Sequence, residues 1–153
     1  MSRSLARGLI VAAVALVLAG VNWSIYSKER IKAHGQRILL ELAPVDPRSL
    51  MQGDYMALRF SLANEIDSEA SGTAPIVIDA NGVARLDHEA HPDSPRIRYR
   101  IRNGQVWLGT NAYFFEEGTA KRYEQARYGE FRLDHDTGEA VLTGLVDAAF
   151  KPL

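Results

Sequence analysis

A run of 20 uncharged residues near the amino end, 8–27, most strongly constrains what this chain can fold into. Most of its positions are Ala, Val, Leu or Ile, and a helix of this length covers a hydrocarbon core of about 30 Å. Trp23 and Tyr26 lie near its carboxyl end, where amphipathic rings favour the lipid headgroup layer. The run therefore predicts a single transmembrane anchor.

A cleaved signal peptide is the alternative interpretation of the same residues. Arg3 and Arg7 would form its basic region, and Val17-Leu18-Ala19 resembles a small-residue cleavage site. The apolar run continues beyond that site through residues 21–25. This continuation favours a retained anchor over a cleaved signal.

Charge is divided unevenly between the two parts of the 153-residue chain. Residues 1–35 carry five Lys or Arg against one acidic residue, whereas residues 36–153 carry 13 against 18. Nucleic-acid binders usually have a basic domain, so the acidic excess argues against nucleic acid as a partner. There is no cysteine, which excludes disulfides and Cys-based zinc sites. We divide the chain into a cytoplasmic tail (1–7), a transmembrane anchor (8–27), a stalk (28–35) and an envelope-facing domain (36–153).

The domain beyond the stalk, here called the head, contains several short segments of alternating apolar and polar residues, separated by turn residues. This spacing is typical of an antiparallel β-sandwich or a barrel-like domain. We expect a mainly β head with one or two short helices, one of them within 119–127. The predicted strands are 36–43, 54–62, 75–79, 83–87, 96–102, 105–109, 130–133 and 140–146.

The clearest alternation is in residues 96–102, where Ile97, Tyr99 and Ile101 share one face of a strand. The other face carries the residues here called the arginine row: Arg96, Arg98, Arg100 and Arg102. Alternate side chains on a strand lie about 6.6–6.8 Å apart, so the row would be a straight cationic ladder. It is a candidate for binding an anion, an anionic lipid surface or an acidic partner. The alternative is a solvated face whose arginines pair with carboxylates on neighbouring strands.

A polar loop, residues 88–95, is flanked by Asp87 and contains four side chains of types that can bind metals. Imidazole and carboxylate groups suit zinc or nickel, but Pro92 disfavours a helix and the spacing is not that of a helical zinc motif. We interpret the segment as an exposed loop and predict no metal and no cofactor. The four side chains are His88, Glu89, His91 and Asp93.

Residues 42–62 combine a turn with a patterned strand. Asp46 suits a helix N-cap and Pro47 the first helical position, so residues 48–52 are predicted as one helical turn that ends at Gly53. In the strand that follows, Met56, Leu58, Phe60 and Leu62 lie on one face and should point into a core.

Residues 53–60, Gly-Asp-Tyr-Met-Ala-Leu-Arg-Phe, resemble the signature of the GDYXXLXY protein family, with Phe60 in place of the final Tyr. The preceding residues 44–48 and the later residues 115–128 also resemble this family. The resemblance implies a bacterial membrane-anchored protein, often encoded beside polytopic membrane proteins. The motif positions are Asp46, Pro47, Arg48, Gly53, Asp54, Tyr55, Leu58 and Phe60.

Two features of the sequence predict opposite orientations of the protein in the membrane. A count of Lys and Arg on each side of the anchor would keep the head in the cytoplasm, since residues 28–37 carry four. The layout of a signal-anchor and the family resemblance imply instead a cytoplasmic amino end and a head in the periplasm. We expect a single-pass protein of the bacterial inner membrane with this second orientation.

The sequence favours a non-catalytic accessory or binding subunit that acts with a polytopic inner-membrane protein. The alternative is a membrane-anchored hydrolase, because a Leu-x-x-Gly-Asp stretch beside an anchor is similar to that of type I signal peptidases. In those enzymes a serine lies eight residues before the glycine, where this chain has Val45. Ser49 is nearer, but neither Lys121 nor Lys151 lies in a recognisable base motif, and a serine without a base is a poor nucleophile.

Overall fold

The computed structural model describes residues 3–44, 51–52 and 55–153, and these form three helices and ten strands. The helices are α1 (Arg3–His34), α2 (Ser61–Glu65) and α3 (Ala120–Tyr123). The strands are β1 (Gln36–Glu41), β2 (Met51–Gln52), β3 (Tyr55–Ala57), β4 (Gly72–Ile78), β5 (Ala84–Leu86), β6 (Arg96–Arg102), β7 (Gln105–Trp107), β8 (Ala112–Phe114), β9 (Tyr128–Leu133) and β10 (Ala140–Val146). Beyond α1 the protein is mainly β with short helices, as predicted.

Helix α1 runs without a break through the apolar run and the residues that follow it. Its 32 residues span about 48 Å at 1.5 Å per residue. It is long and apolar enough to cross a membrane, and none of its most apolar 18-residue window is buried by the rest of the chain.

The last turns of α1 lie against the head. Ile31 is buried, and the ammonium group of Lys28 forms an ion pair with the Glu139 carboxylate. Beyond the helix, the Arg132 guanidinium donates a hydrogen bond to the carbonyl oxygen of Gly35, at 3.3 Å. The residues predicted as a stalk are therefore mostly the docked end of one continuous helix.

Three antiparallel sheets build the head, with strand orders β1-β9-β10, β2-β3-β8 and β5-β4-β6-β7. Hydrogen bonds between backbones connect the first and the third of these sheets: the Leu39 N–H donates to the Gly82 carbonyl at 2.8 Å, and the Arg98 N–H donates to the Gly138 carbonyl at 2.6 Å. A main apolar core lies between the sheets, and a smaller cluster contains Leu39, Val83 and Val146. Phe60 and Phe131 meet edge to face in it, with ring centroids 5.3 Å apart.

The signature strand is shorter than predicted. The four apolar residues Met56, Leu58, Phe60 and Leu62 are all buried, but β3 ends at Ala57 and α2 begins at Ser61. The backbone between them bonds to distant segments, with the Leu58 N–H donating to the Asn111 carbonyl at 2.7 Å. The predicted helical turn over 48–52 is wrong at its end, because Met51 and Gln52 form β2 and pair with β3; residues 48–50 lie outside the described residues.

The β6–β7 hairpin has the predicted turn, and β6 has the predicted bounds, but β7 ends at Trp107 and not at residue 109 as predicted. Asn103 and Gly104 have φ values of +51° and +72°, the left-handed conformations that a two-residue hairpin turn requires. The turn at Asn81-Gly82 differs from the prediction, since among its residues only Gly82 has a positive φ, +85°. Asp79 explains the difference, because its carboxylate accepts hydrogen bonds from the N–H groups of Asn81 and Val83.

Candidate functional site: an arginine cleft

Strand β6 separates an apolar face from a cationic one, as its alternation predicted. Ile97 is 0% exposed and Tyr99 is 8% exposed, so both belong to the core. Because successive side chains point to opposite faces, the four arginines of the row are exposed. The burial of the apolar face thus determines where the row lies.

The strands beside β6 place no carboxylate opposite the row. Residues directly across the sheet are Pro75 and Thr73 on β4, opposite Arg96 and Arg98, and Trp107 and Gln105 on β7, opposite Arg100 and Arg102. In residues 3–44, 51–52 and 55–153, no carboxylate forms an ion pair with any of the four. The alternative interpretation, that neighbouring strands neutralise the row, is therefore wrong for this part of the chain.

Arg96 differs from the other three arginines. Its Nε donates to the Thr73 hydroxyl and its Nη2 to the Thr73 carbonyl, both at 3.0 Å. These bonds hold the side chain across β4. Arg96 does not line the cleft described next, and it serves as an internal comparison for the three that do.

Arg98, Arg100 and Arg102 line a cleft of about 410 Å³, here called the arginine cleft. Its wall also includes Lys28 from α1, Trp107 from β7 and Glu139 before β10. The Arg102 guanidinium lies 5.3 Å from the Trp107 ring centroid, a cation–π contact. Four cations and one carboxylate are thus the charged groups of this wall.

Within the arginine cleft the charges do not cancel. Glu139 is already paired with Lys28, which leaves the three guanidinium groups without a described counter-ion. Arginine stays protonated at any physiological pH, so the cleft keeps a positive potential.

Trp107 has an N–H group that the protein itself covers. Its Nε1 atom is buried, and no acceptor among the described residues bonds to it. Buried N–H groups nearly always have a partner, and leaving one unbonded costs about 1–3 kcal/mol. Because this atom is buried, it is not one of the donors that the cleft presents to a ligand.

The turn between β9 and β10 closes one side of the cleft. Gly138 has a φ of +71°, and a Cβ on it would lie 2.9 Å from the Arg96 carbonyl oxygen. Only glycine allows the turn to approach the β6 backbone this closely. The approach carries Glu139 to the end of α1, where it meets Lys28.

The polar loop at 88–95 is organised around the buried carboxylate of the residue before it, Asp87, which is 6% exposed. Its oxygens accept hydrogen bonds from the Ser94 hydroxyl at 2.5 Å and from the N–H groups of Glu89 and His91, each at 3.1 Å. The His91 ring nitrogen Nδ1 lies 3.0 Å away. The Ser94 bond, with the His91 and Glu89 bonds, lowers the pKa of Asp87 well below its usual range despite burial. These contacts give the carboxylate a structural role in shaping the loop.

Of the predicted motif positions, Tyr55, Leu58 and Phe60 lie in the described part of the chain. Leu58 and Phe60 are core residues, so Phe60 takes a packing position. The Tyr55 ring contacts Phe114 in a tilted arrangement, with ring centroids 5.6 Å apart, and Phe114 is 75% exposed. The other five, Asp46, Pro47, Arg48, Gly53 and Asp54, lie outside the described residues, as does Ser49, so the hydrolase alternative stays an untested prediction.

Sequence reasoning missed Lys28, Trp107 and Glu139 as members of the site. Trp107 could have been found, because a two-residue turn at 103–104 sets the register that places it opposite Arg100. Lys28 and Glu139 lie 111 positions apart, and no local pattern connects them.

The fold and the site define a class: a mainly β head with a cationic cleft, docked on a helix that is long enough to span a membrane. Within that class, the chain belongs to the GDYXXLXY protein family, whose sequence profile matches residues 17–145. The match covers most of the chain, from within α1 to β10. No curated protein and no solved structure matches it significantly.

Proposed function

We propose that this protein is a non-catalytic, membrane-anchored accessory subunit that acts with a polytopic inner-membrane protein. In this proposal α1 crosses the bacterial inner membrane once and the head lies in the periplasm. The observation that carries the proposal is the division of α1, whose apolar part is left uncovered while its last turns are bound to the head.

The uncovered part of α1 has a face suited to another helix. Gly8, Ala12, Ala15 and Ala19 follow spacings that place them on one side of the helix, and a Cβ on Gly8 would meet nothing within 4 Å. Small residues let transmembrane helices approach closely. A helix of the polytopic partner is the proposed occupant of this face.

The chemistry of the arginine cleft favours binding over catalysis. Guanidinium groups do not release protons near neutral pH, so they are poor general acids and bases. The carboxylate in the wall, Glu139, is engaged by Lys28. The cleft would therefore hold an anionic group without transforming it.

Affinity purification of the full chain from detergent-solubilised membranes tests the partnership, with mass spectrometry of the co-purifying proteins. We expect one polytopic membrane protein to be enriched. The double variant Ala12→Leu, Ala15→Leu should lose it, because larger side chains hold the helices apart. Val17→Leu, on the opposite side of the helix, is the matched control and should retain it.

Equal recovery of the polytopic protein by both variants would remove the helix face from the proposal. Absence of any polytopic protein from the wild-type purification would remove the partnership itself.

Orientation has its own test, an alkaline phosphatase fusion at the carboxyl end. A periplasmic head gives an active fusion, because this enzyme needs disulfides that form in the periplasm. A stably produced but inactive fusion would place the head in the cytoplasm.

A further inference from the structure

We infer that the arginine cleft binds the phosphate-bearing headgroup of an anionic phospholipid from the leaflet that adjoins the head. The inference rests on the proposed function, since it takes α1 as a membrane anchor, and it specifies the anion that the cleft holds. The juxtaposition that carries it is a set of uncompensated guanidinium groups beside the membrane end of α1.

The depth of the cleft relative to a bilayer follows from Lys28. This residue lines the cleft and comes directly after the uncharged run 8–27. It lies two residues beyond Tyr26, about 3 Å along the helix axis. Trp23 and Tyr26 are exposed and belong by residue type to the headgroup layer. A bilayer around α1 would therefore bring its phosphates to the level of the cleft.

The donors of the cleft suit a phosphate group. Arginine presents a planar fork of N–H groups that matches phosphate oxygens in pairs, and Arg98 and Arg100 lie on the same face of β6. A phosphate with several acceptor oxygens can accept from these guanidinium groups together.

The volume of the cleft is consistent with a headgroup. At about 410 Å³ it lies in the range of small-molecule sites, about 300–1,000 Å³. Its wall also includes the half-buried Val141, which can contact the glycerol and upper acyl carbons of a lipid. An acidic peptide would account for the positive charge of the cleft but not for its position at the level of the lipid headgroups. We therefore argue for a lipid as the occupant.

The experiment uses the full chain in zwitterionic detergent micelles and reads the fluorescence of Trp107. The chain has two tryptophans, so Trp23→Phe leaves Trp107 as the only one. Four probes are added separately: dioctanoyl-phosphatidylglycerol, dioctanoyl-phosphatidylcholine, inorganic phosphate and a hexaglutamate peptide. We expect saturable binding of the phosphatidylglycerol, no saturable response to the phosphatidylcholine, and at least about tenfold weaker binding of the other two.

Variants in the same background identify the residues. Arg98→Gln, Arg100→Gln and Arg102→Gln together should weaken phosphatidylglycerol binding by about 100-fold, because each basic residue near an anionic membrane surface contributes about fivefold. Arg96→Gln is the matched control on the same strand face and should leave the affinity unchanged. Circular dichroism checks that each variant is folded. If the triple variant does not fold, Arg100→Gln alone should weaken binding by about fivefold, and no change in it would overturn the inference.

Three other results would overturn the inference. Equal binding of the two lipids would show that the cleft does not distinguish an anionic headgroup from a zwitterionic one. Unchanged binding by a folded triple variant would show that the three arginines do not bind the lipid. Tighter binding of phosphate or of hexaglutamate than of phosphatidylglycerol would assign the cleft to a soluble anion or to an acidic partner. Each of these results is independent of whether a polytopic protein co-purifies, so the lipid site and the partnership can fail separately.

Discussion

The arginine cleft and the Asp87 loop are both charged regions of the head. They differ in whether neighbouring groups of the same chain compensate the charge. Asp87 receives hydrogen bonds from Ser94, Glu89 and His91, so its one negative charge is fully used within the loop. Arg98, Arg100 and Arg102 have no described carboxylate partner. The difference teaches that a charged cluster becomes a candidate binding site when its own chain leaves it unsatisfied.

The two regions also differ in the sequence distance of their contacts. The partners of the Asp87 carboxylate lie within seven residues of it, so the network around this carboxylate is local. The surroundings of the arginines come from α1, β7 and the β9–β10 turn. Variants in the two regions should therefore separate stability from binding.

Asp87→Asn should have the largest effect on stability. The amide keeps one acceptor oxygen but loses the charge and directs an NH₂ group towards existing donors. We expect the melting temperature to fall by several degrees. Asp93→Asn is the matched control, because Asp93 is exposed in the same loop, and it should change little. Thermal unfolding followed by circular dichroism measures both, and similar values for the two variants would contradict a structural role for Asp87.

Acid should abolish the difference between wild type and Asp87→Asn. The pKa of Asp87 is lowered in the folded state relative to about 3.9 in the unfolded chain. Its ionised form therefore stabilises the fold above about pH 4, and this contribution is lost as the pH falls towards the folded pKa. Melting temperatures of the two proteins at several values from pH 5 downwards should converge. A constant gap over that range would show that the charge is not what stabilises the loop.

Glu139→Gln should destabilise the head less than Asp87→Asn does, and it should strengthen phosphatidylglycerol binding. The Lys28–Glu139 pair is partly exposed, with 45% and 23% of the two side chains accessible, so its loss should cost about 0.2–1 kcal/mol of unfolding free energy. It also removes a carboxylate from the cleft wall and frees the Lys28 ammonium. Phosphatidylglycerol binding should tighten by a few fold in the fluorescence titration, whereas weaker binding would mean that the ion pair itself builds the site.

Arg100→Gln should have the smallest effect on stability, within about 0.5 kcal/mol of wild type. Its neighbours on the strand face are also cations, so removing one charge relieves repulsion and does not break a described pair. Urea unfolding measures the change. A loss above about 2 kcal/mol would show that the arginine stabilises the head and would make the two charged regions alike.

Features of the fold were predictable from the sequence where they depend on residues that are close together in the chain. The turn of the β6–β7 hairpin and the bounds of β6 are as predicted, because Asn103 and Gly104 tolerate positive φ and the flanking residues alternate; β7 is shorter than predicted and ends at Trp107. The length of the signature strand was not predictable, because the apolar alternation continues to Leu62 whereas β3 ends at Ala57 and α2 begins at Ser61. The same periodicity predicted the burial of Phe60 correctly, since burial depends on the face and not on the strand continuing.

The sequence alone determined that an apolar helix precedes a mainly β head, that four arginines share one face of a strand, and that the chain carries the family signature. Periodicity, turn chemistry and hydropathy act over a few residues, so they can be read without coordinates. Only the tertiary structure decided which arginines face a cleft and that Lys28 and Glu139 complete its wall. Those contacts join segments far apart in the chain, and they depend on a glycine turn that packs against β6 and on a helix end that docks beside it.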